Sequence, residues 1–203
     1  MTSTPPRAGR SGNFTAANAV TVVRILLIPC FGFLWWRGMH AAALAVFAVA
    51  SLSDWLDGFL ARVMDQRTRL GQILDPAADK LLLLVSFLTA AALGAVPRWL
   101  AALVIGRDVV LASGGALFAF VLRGRLEPQR WKPSRIGKYS TFVQVLTIAL
   151  ALTENLTRWP PLGPYVGVFT IHCAVLTTIS GVQYVAFGVS ALASGKLRSG
   201  GSA

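Results

Sequence analysis

Six apolar runs, each about the 20 residues that a bilayer core requires, follow one another with short polar connections between them. They cover residues 18–36, 41–63, 76–93, 99–122, 136–152 and 165–192. A soluble chain of 203 residues has no use for that much apolar surface. Charged residues make up 13% of it, against roughly 25% in soluble domains, and its mean hydropathy is +0.62. The fold class expected is therefore all-α, a polytopic membrane protein with six transmembrane helices. Residues 14–193 read as one six-helix domain between flexible tails at 1–13 and 194–203, with no internal repeat. No cleavable signal peptide is evident, because the first apolar run contains Arg24 and lacks a small-residue cleavage pattern. Cys30 and Cys173 both lie in apolar runs and read as packing residues.

Basic residues orient the chain. Arg62, Arg67 and Arg69 surround the connection after the second run, and Arg123, Arg125, Arg130, Lys132, Arg135 and Lys138 follow the fourth. The tails carry Arg7, Arg10, Lys196 and Arg198, whereas the alternate connections hold only Arg37, Arg98 and Arg158. The positive-inside tendency puts both termini in the cytoplasm. The net charge of +11 then belongs to loops facing anionic lipid, and no nucleic-acid partner is expected.

Against this background four carboxylates stand out, Asp54, Asp57, Asp75 and Asp79, at spacings of 3, 18 and 4. On a helix Asp54 and Asp57 are about one turn apart, and Gly58 and Ala61 share their face, so a ligand can approach the backbone there. Asp75-Pro76 reads as a helix start, with Asp as cap and Pro in the first turn, and Asp79 lies one turn on. Two helices joined by a short connection run antiparallel, which brings both pairs to one depth. A single carboxylate pair at about 5 Å costs roughly 3 kcal/mol at an effective dielectric of 20, and a divalent cation removes that conflict. An all-oxygen donor set favours Mg2+, Mn2+ or Ca2+ over Zn2+. Arg62, Arg67 and Arg69 suit a phosphate ligand beside the metal. Taken singly, Asp75 is a cap, and Asp54 and Asp57 are half of an ion-pair network with Arg62; the set together points to function.

The pattern Asp54-x2-Asp57-Gly58-x2-Ala61-Arg62-x8-Gly71-x3-Asp75-x3-Asp79 resembles the full signature of the CDP-alcohol phosphotransferases. In that family an alcohol hydroxyl attacks the phosphorus of a CDP-linked donor and CMP leaves. The resemblance implies that Asp54, Asp57, Asp75 and Asp79 hold one or two Mg2+ or Mn2+ ions, and that Asp79 is also the base on the attacking hydroxyl, a role the sequence does not separate from Asp75. It implies that Gly58, Ala61, Arg62 and Gly71 shape the CDP site, and that the protein is a homodimer in the bacterial inner membrane with its active site facing the cytoplasm.

Other residues resemble the bacterial phospholipid branch. Asn18-x2-Thr21-x2-Arg24 is similar to its first span, where Asn18 and Thr21 would face the nucleotide; as a helix cap and an interhelical hydrogen bond they need no ligand. Arg107 is costly in lipid and is read as binding an acceptor phosphate, with Asp108 as its neutralising partner. Lys138 is the candidate acceptor residue of the basic cluster before the fifth run, while Lys132 and Arg135 equally suit anionic lipid. Lys80 is read as support for the acidic cluster, and His40 and His172 as structural. The donor expected is CDP-diacylglycerol. Arg107-Asp108-Val109, followed by Lys132-Pro133 and Ile136-x-Lys138, resembles the branch that uses phosphatidylglycerol and makes cardiolipin. The alternative acceptor is glycerol 3-phosphate, and the alternative class is a transporter or proton relay using intramembrane acids.

Overall fold

The computed structural model describes residues 16–63, 69–121 and 135–199, and within them the side chains outside 16–20, 54–63, 69–73, 75, 115–121, 135 and 191–199. Six helices occupy almost all of this: α1 Ala16–Trp36, α2 His40–Val63, α3 Arg69–Ala92, α4 Arg98–Val121, α5 Arg135–Thr157 and α6 Leu162–Ser199. Five of the six match the apolar runs at their starts to within a few residues.

α3 is the exception. It begins at Arg69, so Asp75 is not its cap and Pro76 lies inside it. Leu70, Ile73, Leu74, Ala77 and Leu81 recur at helical spacing through the proline, and that apolar stripe outweighs the loss of one backbone N–H. The earlier start moves Gly71 from a connection into the helix, so that Gly71, Asp75 and Asp79 occupy register positions one turn apart on α3.

Two tight turns are closed by glycine. After α1, Gly38 has φ +74, its N–H donates to the Trp35 carbonyl at 2.9 Å, and the Met39 N–H donates to the Leu34 carbonyl at 2.9 Å. After α3, Gly94 has φ +73, and the Ala95 N–H donates to the Ala90 carbonyl at 2.8 Å. Both are Schellman caps, in which a left-handed residue lets the chain turn back on its own helix. They make α1 and α2, and α3 and α4, antiparallel neighbours.

α1 packs against α2 and α3, α5 against α6, α2 and α3, and α4 against α6 and α3. Phe31, Trp35, Phe47, Phe87, Leu100, Ile148 and Leu152 form the centre. Phe31 meets Trp35 and Phe47 with ring centroids 5.6 and 5.4 Å apart. Gly32 allows α1 to lie close to α3, since a Cβ there would come within 2.9 Å of Val85 Cγ1.

The exterior is unlike a soluble protein's, and several polar side chains are buried beside the apolar core. Leu26, Phe33, Leu52, Phe142, Ile171 and Val182 are exposed, while Thr21, Arg24, Ser86, Arg107, Gln144 and Thr177 are buried. Ser140, Gln144 and Thr177 bond to one another between α5 and α6, with Gln144 Nε2 donating to Thr177 Oγ1 at 3.1 Å. Among the described residues two helical stretches, Ile136–Thr157 and Leu162–Ser190, are long and apolar enough to cross a membrane; Thr21–Trp36 and His40–Ser53 are shorter apolar stretches. In α3 and α4 the charged side chains of Asp79, Lys80, Arg107 and Asp108 interrupt the apolar run.

Candidate active site

The acidic motif spans the C-terminal turns of α2 and the N-terminal half of α3, two helices in contact with each other and, in the case of α3, strongly with α1. Asp54, Asp57, Gly58, Ala61 and Arg62 fall on α2, and Gly71 and Asp75 on α3; their side chains lie outside the described ones, as does that of Asn18 on α1. The helical register still places Asp54, Asp57, Gly58 and Ala61 along one side of α2. Much of the connection that the sequence suggested before Asp75 belongs to α3, which begins at Arg69; residues 64–68 lie outside the described residues.

Of the four motif aspartates, Asp79 is the one whose side chain is described. Arg24, from the middle of α1, donates from Nη1 to Asp79 Oδ1 at 3.2 Å. Arg24 is 1% exposed and Asp79 is 41% exposed. A buried guanidinium thus holds one oxygen of a carboxylate that remains reachable from outside. That pair crosses from α1 to α3, and it puts a fixed positive charge at the acidic motif. Thr21, three residues before Arg24 on α1, is fully buried.

Lys80, next to Asp79, points to α4: its Nζ donates to Asp108 Oδ1 at 2.7 Å. The same oxygen accepts from Arg107 Nη1 at 2.6 Å. Arg107 Nη2 then donates to Ser180 Oγ on α6 at 2.8 Å. Arg107 is nearly buried, and its Nε has no hydrogen-bond partner among the described residues. The neutralising role expected of Asp108 is therefore observed, and Lys80 supports this pair on α4. Lys138 is exposed at the start of α5. His172 Nδ1 contacts the Val168 carbonyl at 2.9 Å within its own helix.

Two participants had no role assigned from sequence. Arg24 was named there only as part of the first-span pattern, and nothing in the sequence paired it with Asp79, 55 residues away. Ser180 carried no signal, being one hydroxyl among several on α6.

A sequence model of the CDP-alcohol phosphatidyltransferases matches residues 14–187, and the chain belongs to this family. It is an enzyme of that transferase class. It is 37% identical over 175 residues to the CDP-diacylglycerol–glycerol-3-phosphate 3-phosphatidyltransferase of Pseudomonas fluorescens, covering 83% of this chain and 87% of that one. It is 34% identical over 185 residues to a probable phosphatidylglycerophosphate synthase of Mycobacterium tuberculosis, covering 88% and 84%. It is 31% identical over 191 residues to the human cardiolipin synthase (CMP-forming), covering 86% of this chain and 62% of that longer protein. The transporter alternative falls with these findings.

Proposed function

We propose that this enzyme transfers the phosphatidyl group of CDP-diacylglycerol to a hydroxyl of phosphatidylglycerol, forming cardiolipin and releasing CMP. The observation that carries the choice of acceptor is the Lys80–Asp108–Arg107 cluster. Two cations and one carboxylate leave one net positive charge, which suits the single charge of a phosphodiester better than the two of a phosphate monoester. The second reading, glycerol 3-phosphate as acceptor, is favoured by the activities named for the Pseudomonas and Mycobacterium relatives.

In this reading Asp54, Asp57, Asp75 and Asp79 hold one or two Mg2+ or Mn2+ ions; the donor set is all oxygen, and the register of α2 and α3 stacks it on adjacent helices. The bound cation would supply charge neutralisation of the diphosphate. Gly58, Ala61 and Gly71 give the nucleotide access to the backbone, Arg62 pairs with its phosphates, and Asn18 and Thr21 border it from α1. Asp79 takes the proton of the attacking hydroxyl as the new oxygen–phosphorus bond forms and the bond to CMP breaks. Arg24 fixes the orientation of Asp79 during that transfer. Arg107 receives the acceptor phosphate, with Lys138 at the entrance from α5.

The six helices cross the bacterial inner membrane, with the aspartates toward the cytoplasm and residues 1–13 and 194–203 as tails on that side. The support is the large apolar side chains exposed on the outside of the bundle and the charged and polar groups buried within it. The working unit is a homodimer, as the family resemblance implies.

The test is a radiolabelled CDP-diacylglycerol assay of the purified protein with Mg2+ or Mn2+, offering phosphatidylglycerol, glycerol 3-phosphate and inositol phosphate separately. Cardiolipin is expected from the first. Phosphatidylglycerophosphate from the second alone would replace this reading with the other.

A further inference from the structure

A pocket lies at the far end of the bundle, where α1, α3 and α5 finish and α2 begins. Its volume is about 510 Å³, within the range of ligand sites. It is separated from Arg24 by about half the length of α1, so it is no part of the active site.

Its lining is chemically unusual. Trp35 is fully buried, yet its Nε1–H has no acceptor among the described residues, and His40 Nδ1 is likewise buried without a partner. Buried polar groups are nearly always satisfied, so this end of the bundle carries polarity that the described residues leave unanswered. Glu154 and Arg158 also line the pocket, and among the described residues no ion pair joins them. Gly163 at the start of α6 keeps room for the carboxylate, because a Cβ there would come within 3.2 Å of Glu154 Oε1.

Position says which molecules the pocket meets. Trp36 and Trp159 at its rim are 62% and 59% exposed, and Trp99 is exposed on the neighbouring turn. Exposed tryptophans clustered at one level of an apolar bundle mark headgroup depth. The ligand that answers both sets of groups carries an anion with acceptor oxygens and a hydrogen-bonding cation on one short head.

We propose that this pocket binds the phosphoethanolamine head of a zwitterionic phospholipid, with its phosphodiester toward Arg158 and its ammonium toward Glu154. The lipid is neither donor nor acceptor in the transfer reaction; it docks on the leaflet opposite the aspartates. This inference depends on the membrane placement above but not on the identity of the acceptor.

The test is native mass spectrometry of the detergent-purified full chain, titrated with phosphatidylethanolamine and phosphatidylcholine of the same acyl chains and with soluble glycerophosphoethanolamine. Wild-type protein should bind phosphatidylethanolamine about five-fold more tightly than phosphatidylcholine, whose quaternary ammonium cannot donate a hydrogen bond to Glu154. The soluble head should compete only weakly, since the acyl chains anchor the lipid. Glu154→Gln and Arg158→Gln should each weaken phosphatidylethanolamine binding about five-fold and leave CMP release unchanged. Equal binding of the two lipids by the wild type overturns the proposal even if both variants fail to fold. So does unaltered phosphatidylethanolamine binding in both folded variants, the result expected of a pocket that holds water alone. The CMP assay keeps this outcome separate from failure of the transferase reading.

Discussion

Arg24 is the residue through which the first helix reaches the acidic motif. It is buried, it has a long side chain, and one of its guanidinium nitrogens rests on Asp79 at 3.2 Å. Arginine suits this position because it keeps its charge in an apolar setting where lysine would tend to lose it. Truncation would remove the contact that orients Asp79, so Arg24→Gln is expected to lower CMP release by roughly 10- to 100-fold, the scale of an outer-shell partner of a metal or catalytic ligand. Arg24→Lys should recover part of that loss. The metal concentration for half-maximal activity should rise in Arg24→Gln while the apparent melting temperature changes less, which a purely structural role would not produce. Asp79→Asn removes the proposed base and should reduce CMP release by about 10²- to 10⁴-fold or more, measured at saturating Mn2+ to separate base from ligand.

Among the helices, the contacts that hold the site are of two kinds, close apolar crossings and shared hydroxyls. Gly32 belongs to the first. Gly32→Leu must push Val85 away or separate α1 from α3, and overpacking of that kind costs about 1–3 kcal/mol. A lower inactivation temperature in detergent, with loss of activity as the Arg24–Asp79 pair is pulled apart, is the expected outcome. Thr177 belongs to the second, joining α6 to Gln144 and Ser140 of α5. Thr177→Val leaves both partners buried without it and should cost about 0.6–1.7 kcal/mol, the range for interhelical hydrogen bonds in bilayers. Thermal unfolding of the purified protein checks the figure. The helix α3 shows why local signals alone mislead: Asp75-Pro76 has the chemistry of a helix start, but the apolar stripe on both sides continues the helix through it.

For the molecule as a whole, large apolar side chains on the outside and buried groups such as Arg24, Arg107 and Gln144 inside describe a solvent that is not water. The proposed six crossings, with both termini on one side, make a direct prediction. In intact cells of a strain expressing the protein, with Cys30 and Cys173 replaced by serine, the Arg158→Cys variant should react with a membrane-impermeant maleimide. The Pro128→Cys variant should react only after lysis. Labelling of both from outside would contradict the six-span topology. Chelation should abolish CMP release, and Mg2+ or Mn2+ should restore it, if the four aspartates hold the metal as proposed.

By itself the sequence determined the number and approximate extent of the helices and the family, because helix length in a bilayer is set by apolar run length and because the acidic motif is long and chemically mixed. It identified Asp54, Asp57, Asp75 and Asp79 as the candidates, and it offered Arg107 with Asp108 as its neighbour. Only the tertiary structure decided who faces whom: that Arg24 of α1 holds Asp79 of α3, that Lys80 turns to Asp108 instead of to the aspartates, and that Ser180 closes the Arg107 network. Such partners lie 28 to 73 residues apart in the chain. Their meeting depends on how the helices pack, and helix packing is settled by the side-chain shapes at every crossing together, not by any one stretch of chain.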